Sequence, residues 1–222
     1  MNQNFMKYKA VMFDLDGTLL DTLLDLAESM NSVLEKLGFP QHPVDKYRYF
    51  VGDGMKMLAR RALPQSADEQ TVLRCHELMR EEYGSRWDKK TRPYDGILEL
   101  LEELNGRNLI LTVFSNKPDD FTRQVVAHFF RPGIFHIVMG AGQFPPKSDP
   151  SGALYIAQQC SIETSSFLYV GDTNTDMKTA IGAGMFPVGV TWGFRSREEL
   201  VNAGAKCTIS RPDELLALVT NE

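Results

Sequence analysis

The chain has 222 residues, 43% hydrophobic and 24% charged, enough for one substantial core with a smaller module appended. Its net charge of −5, with no stripe of Lys or Arg, argues against a sequence-independent nucleic-acid surface or an anionic-membrane surface and favours small-molecule partners. The three cysteines, Cys75, Cys160 and Cys207, include no Cys-x-x-Cys pair, Met1 to Lys9 is polar, and no apolar run is long enough for a membrane; neither a disulfide framework nor a zinc knuckle is suggested, and a soluble protein of the reducing cytoplasm is expected.

The apolar run Ala10-Val11-Met12-Phe13 reads as a first strand. Leu23, Ala27, Met30, Leu34 and Leu37 then recur at helical spacing, and Gly38 with Pro40 stops that helix. From about Asp21 to Arg92 no strand pattern is present. Helical stretches over Met55 to Ala62 and Ala67 to Tyr83 are punctuated by Pro43, Gly52, Gly54, Pro64 and Gly84, which reads as a helical insert. Beyond it, a helix is predicted near Ile97 to Leu104, a strand at Leu109 to Phe114, a helix at Asp119 to Phe130 and a short strand at Phe135 to Met139. A helix at Ala153 to Cys160, a strand at Phe167 to Val170, a helix at Asp176 to Ala183, a strand at Val188 to Val190 and a helix at Asp213 to Val219 follow. Strands alternating with helices predict an α/β fold with a mainly parallel sheet covered on both faces.

Asp14-Leu15-Asp16-Gly17-Thr18 follows the first strand directly. Carboxylates two residues apart can face one ligand, and Gly17 lets the backbone turn so that Asp14, Asp16 and Thr18 converge there. Open parallel sheets bind ligands beyond the carboxyl ends of their strands. The second predicted strand ends in Ser115-Asn116-Lys117, and Phe167 to Val170 ends in Gly171-Asp172-Thr173-Asn174-Thr175-Asp176. Lys147, in Pro-Pro-Lys-Ser-Asp-Pro, is the only lysine between Pro118 and Met177. Singly, such residues also shape turns and cap helices. A calcium-loop reading of Asp172 to Asp176 fails, because Met177 and Ala183 occupy the positions that need glycine and an acid. In the helical insert, Tyr47-Arg48-Tyr49-Phe50 with Gly52, Asp53, Gly54 and Lys56 is the candidate substrate-reading loop. Arg48 and Lys56 are its candidate cations for an anionic leaving group.

With these four motifs in order and on the expected element types, the chain resembles the haloacid dehalogenase superfamily. Asp14 to Thr22, Val51-Gly52-Asp53-Gly54, Ser115-Asn116-Lys117-Pro118 and Thr191-Trp192-Gly193-Phe194 resemble its phosphoglycolate phosphatase branch. The resemblance implies a Rossmann-like, three-layer α/β/α core made of residues 1–20 and 93–222. An all-helical cap, residues 21–92, would be inserted after the first motif and hinged near Leu20-Asp21 and Arg92-Pro93. Asp14 would be the nucleophile that forms an aspartyl-phosphate. Asp16 would be the acid that protonates the leaving alcohol and later activates water. Thr18, Ser115 and Asn116 would bind the phosphoryl group, and Lys147 would neutralise charge, although Ser148 stands where the family usually has proline. The metal candidates are Asp14, Asp16, Asp172 and Asp176, with Asp176 either completing that site or orienting Lys147. Magnesium fits, because several carboxylates and a phosphate dianion cannot share a cleft against a single lysine.

The expected activity is Mg2+-dependent hydrolysis of a small phosphorylated metabolite, with 2-phosphoglycolate leading. A broad sugar or nucleotide phosphatase, a pyrophosphatase and a β-phosphoglucomutase-like phosphotransferase are the alternatives. A receiver-type phosphorylation switch fits poorly, since its acceptor lies on a later strand and it carries no helical insert. The sequence fits a monomer or a homodimer.

Overall fold

The computed structural model describes residues 7–219; residues 1–6, which hold most of the polar Met1 to Lys9 segment, lie outside the described residues. The chain enters through β1 (Ala10–Phe13), whose four residues are all buried, and turns into the two-residue β2 (Leu20–Asp21). Four helices follow: α1 (Leu23–Lys36), the single turn α2 (Tyr47–Phe50), α3 (Met55–Ala62) and α4 (Glu69–Gly84). Then β3 (Arg92–Pro93) pairs antiparallel with β2, bringing the two ends of the helical segment together. Thereafter come α5 (Ile97–Gly106), β4 (Ile110–Pro118), α6 (Asp119–Phe129), β5 (Ile137–Ala141), α7 (Ser151–Gln159) and β6 (Phe167–Gly171). The chain closes with α8 (Asn174–Gly182), β7 (Phe186–Val190), α9 (Arg197–Asn202), β8 (Cys207–Ile209) and α10 (Leu215–Val219).

Six strands form one parallel sheet in the order β5-β4-β1-β6-β7-β8, with β1 paired to β4 on one side and β6 on the other. Alternation along the strands divides the core. Ala10, Met12 and Tyr169 face Ile156 of α7 and Ala180 of α8, whereas Val11, Phe13 and Val170 belong with Leu101 of α5, Val125 of α6 and Leu215 of α10. The result is the expected three-layer α/β/α arrangement. Strands buried on both faces explain why they read as unbroken apolar runs.

Within the helical segment, α1 packs its Ala27, Met30 and Leu34 face against Met79 and Tyr83 of α4, all fully buried. Cys75 lies among them, its sulfur 3.7 Å from that of Met30. Asp25, buried on α1, accepts hydrogen bonds from the Lys90 N–H (2.9 Å), the Thr91 N–H (2.8 Å) and the Thr91 hydroxyl (2.8 Å), which fastens α1 to the return connection.

The short strands β2 and β3 stand at the two ends of the stretch in which the sequence reading found no strand, because they pair only with each other. Three further features differ from that reading. The strand predicted to stop at Phe114 runs on to Pro118, with a register shift against β5, so Ser115-Asn116-Lys117 is the irregular end of β4 rather than a loop after it. The helix expected from Asp176 starts at Asn174, because Thr173 and Asp176 form a reciprocal capping box. A second capping box, Ser196 with Glu199, opens α9, which the sequence reading lacked together with β8. No helix among the described residues is long and apolar enough to cross a membrane.

Candidate active site

The central strands deliver their polar ends to one place. The Asp14 N–H donates to the Val170 carbonyl at 2.9 Å, so Asp14 continues the β1–β6 ladder and its carboxylate stands at the sheet's carboxyl edge. Gly17 then turns with φ of 89°; a Cβ there would lie 2.3 Å from Asp172 Oδ2, so only glycine permits this approach. The Thr18 hydroxyl donates to Asp172 Oδ1 at 3.3 Å and the Phe194 N–H to Asp172 Oδ2 at 2.7 Å.

Lys147 arrives from the loop before α7. Its Nζ donates to Asp14 Oδ1 (2.6 Å), Asp176 Oδ1 (2.8 Å) and the Phe114 carbonyl (3.0 Å), which uses all three of its protons. Asn116 holds that loop in place: the Lys147 N–H donates to Asn116 Oδ1 at 2.8 Å, while Asn116 Nδ2 donates to the carbonyls of Lys147 (3.2 Å) and Gly52 (3.0 Å). Asp176 spends its other oxygen on Thr173, accepting from its hydroxyl at 2.6 Å and its N–H at 3.1 Å. Ser115, 2% exposed, lines a small cavity together with Asp14 and Asn116.

Asp14, Asp172 and Asp176 place carboxylate oxygens within 4.8 Å of one another, all buried. Burial pushes Asp14 up to about 7; Lys147 opposes the shift, and Asp176 and Asp16 add to it. Asp172 is held well above the usual carboxylate range, first by burial and then by Asp14 and Asp176. Burial alone would lower Lys147, yet Asp14 and Asp176 outweigh it and keep the ammonium charged. Three buried carboxylates against one ammonium leave an excess of negative charge, and a donor set made only of oxygens suits a hard divalent cation.

Asp16 does not join that group. Its carboxylate takes both of its short contacts from Lys117 Nζ, at 3.0 and 3.2 Å, and Lys117 also donates to the Tyr83 hydroxyl of α4 at 2.8 Å. Burial would depress Lys117, but Asp16 and Tyr83 raise it above the ordinary lysine value. Burial pushes the Tyr83 phenol up to about 12, so it stays neutral.

The helical segment closes over this end of the sheet. Asp53 accepts from the Thr175 hydroxyl at 2.8 Å and pairs with Arg61. Arg195 donates to the carbonyls of Arg48 and Val51, and Arg48 Nη1 donates back to the Gly193 carbonyl at 2.7 Å. The cavity left between the two parts is about 40 Å3, walled by Asp14, Asp16, Ser115 and Lys117 below and by apolar Leu26, Val51, Met55 and Leu58 above.

Of the two cations expected in the helical segment, neither turns its charge to this cavity. Arg48 is engaged with the Gly193 carbonyl, and Lys56 pairs with Glu69 at 2.7 Å with half of each side chain exposed. The helical period explains Lys56: Met55 and Leu58, three apart, share the inward face of α3, and residue 56 lies about 100° from Met55 and about 160° from Leu58 around the helix. The sequence reading assigned no task to Lys117, Tyr83 or Arg195, and it placed Asp53 only within the candidate substrate-reading loop. For Lys117 a signal existed, since it lies two residues beyond Ser115 on an extended chain; for the others only the tertiary pairing reveals the partner.

Residues 11–190 match the sequence model of haloacid dehalogenase-like hydrolases. A protein of Vibrio parahaemolyticus named phosphoglycolate phosphatase is 30% identical over 218 residues, covering 95% of this chain and 96% of that one. Its namesake in Vibrio cholerae is 32% identical over 207 residues, covering 88% and 89%. Among solved structures, a crystal structure of a Lactobacillus delbrueckii subsp. bulgaricus protein superposes with a TM-score of 0.93 at 29% identity, over 98% of this chain and all of that one.

Proposed function

The chain belongs to the haloacid dehalogenase-like hydrolases, and on that footing we propose that it is a magnesium-dependent phosphatase that hydrolyses 2-phosphoglycolate to glycolate and phosphate. The names of its relatives support the substrate. The observation that carries the mechanism is the division of the first motif between two lysines: Asp14 on Lys147, Asp16 on Lys117.

In this reading an Asp14 oxygen attacks phosphorus and the bond from phosphorus to the ester oxygen breaks. Asp16 gives its proton to the departing oxygen, which leaves as glycolate. Asp16 then takes a proton from water as that water attacks the aspartyl-phosphate, releasing phosphate and restoring Asp14. Ser115 and the Asn116 N–H hold a phosphoryl oxygen, and Thr18 keeps Asp172 in place. Lys147 compensates charge on Asp14 throughout, oriented by Asp176, both of whose oxygens already accept hydrogen bonds. Asp14 and Asp172 would hold Mg2+, which supplies the positive charge that the phosphoryl oxygens need.

Residues 21–92 serve as the cap, on a core of residues 1–20 and 93–222. A cavity of about 40 Å3 holds a few waters at most, so the cap lifts on its β2–β3 hinge to admit substrate and shuts to exclude bulk water.

The test is the initial rate of phosphate release, with magnesium present and chelated, from 2-phosphoglycolate, pyrophosphate, glucose 1-phosphate and nucleoside monophosphates, with Asp14→Asn as control. Magnesium-dependent release that is fastest for 2-phosphoglycolate and absent in the variant supports the proposal. Comparable rates across the panel reduce it to a broad phosphatase, and phosphoryl transfer to a sugar without free phosphate replaces it with a mutase.

A further inference from the structure

Lys117 sits where a leaving group must lie. If Asp16 protonates the ester oxygen, the atoms attached to that oxygen extend past Asp16 toward the helical segment. Lys117 Nζ is there, 3.0 and 3.2 Å from the two Asp16 oxygens. Among the described residues that line the cavity it is the one cation; the opposite wall is Leu26, Val51, Met55 and Leu58. Lys147 is not among the residues that line the cavity, being drawn to Asp14, Asp176 and the Phe114 carbonyl. The two Asp16 oxygens can share one Lys117 proton and Tyr83 takes a second, which leaves a third for a ligand.

We infer that Lys117 is the residue that selects the substrate, by binding a carboxylate carried on the leaving group, and that Tyr83 is its positioning residue from the cap. The inference rests on the phosphatase reading above and adds to it the determinant of specificity. By ordinary bond lengths, a carboxylate attached to the ester carbon has an oxygen about 3 Å from the ester oxygen, close enough for Asp16 and Lys117 to engage the two ends of one small molecule. The ammonium, side chain 2% exposed, donates a charge-assisted hydrogen bond to that carboxylate. Tyr83 reaches Lys117 at 2.8 Å only with α4 seated, and the ammonium also lies 4.5 Å from the centre of the Tyr83 ring, so the cap holds the lysine against the cavity when closed. The apolar wall offers nothing to the hydroxyls of a sugar or nucleoside. The preferred class is therefore the phosphate ester of a short 2-hydroxy acid.

The discriminating pair of substrates is 2-phosphoglycolate and 2-hydroxyethyl phosphate, which differ by carboxylate against hydroxymethyl. A hydrogen bond to a charged partner leads to an expected wild-type preference in kcat/KM of about 100-fold for the carboxylate. Lys117→Met should collapse that ratio to below about 3-fold, with Lys117→Arg recovering part of it. Tyr83→Phe, which removes one hydroxyl from a packed ring, should narrow the ratio several-fold while the folded signal is retained. A wild-type enzyme that hydrolyses both esters without discriminating overturns this inference and leaves a phosphatase of broader range. A preference that survives Lys117→Met, or a variant that slows both esters equally, overturns it while the phosphoglycolate reading stands. If Lys117→Met does not fold, the wild-type ratio and Tyr83→Phe decide. A wild-type protein that releases phosphate from neither ester defeats both readings.

Discussion

The crowding of Asp14 predicts an inverted response of stability to pH in the metal-free protein. Asp14 is pushed up to about 7 in the folded chain, against 3.8 as its ordinary value. Between those limits the folded state binds a proton that the unfolded state does not, so stability rises as pH falls through 7 and is lost as pH climbs past it. From pH 8 to pH 6 the protonated fraction goes from about one tenth to about nine tenths. That range integrates to about 1.4 kcal/mol in favour of the folded state. For a chain of this length it corresponds to roughly 3–6 °C in Tm. The assay is thermal unfolding in a chelating buffer at pH 6 and 8, wild type beside Asp14→Asn. The difference between the two proteins isolates the site from the histidines, which titrate in both. Saturating magnesium should abolish the dependence, because a bound cation holds the carboxylates ionised. Equal pH slopes in wild type and Asp14→Asn, or a larger fall in wild-type stability toward pH 6, would refute the reasoning.

Magnesium at about 100 times its Kd should stabilise the folded protein by about 2.7 kcal/mol, seen as a thermal shift of roughly 5–10 °C that calcium-free chelation reverses and Asp172→Asn removes. Lys147→Met strips the ammonium from Asp14 and Asp176 at 2.6 and 2.8 Å, so in the absence of metal it should cost about 3–5 kcal/mol by denaturant unfolding and abolish phosphate release. Gly193→Ala puts a Cβ 2.3 Å from the Asp172 Cβ and 2.4 Å from the Gly17 carbonyl, which forces the two loops apart; activity should fall by at least an order of magnitude. Gly106→Ala at the end of α5 meets nothing within 4 Å and is the matched control, expected to raise Tm slightly.

The sheet and the positions at its carboxyl edge were legible because they depend on local pattern. Doubly buried strands are apolar runs, and the rule that ligands sit beyond their ends led to Asp14, Ser115, Asp172 and Asp176, which the structure brings together with Lys147. Short edge elements were illegible for the opposite reason. In β8, only Ile209 of its three residues is buried, so no run or alternation forms, and β2 and β3 are two residues each, strands only because the fold brings them opposite one another. The capping boxes at Thr173 and Ser196 were present in the sequence and would have set the starts of α8 and α9.

The site shows where a spacing argument stops. Two residues apart on an extended chain, Asp14 and Asp16 should present both carboxylates to one ligand. They do lie side by side, but Asp14 closes on a lysine 133 residues away and Asp16 on another 101 residues away. Spacing fixes which groups are neighbours; it does not fix which cation each one finds. Charge in the helical segment shows the same thing in reverse. Arg48 and Lys56 had the right sign near the right loop, yet α3 turns Lys56 outward and Gly193 engages Arg48, so the cavity's cation comes from the core strand β4 instead. A residue's sign is read from its name, but the face it occupies is set by helical phase and by the partner that reaches it first. An anionic leaving group would therefore be recognised from the sheet side, by Lys117, with the helical segment contributing an apolar roof and one phenol.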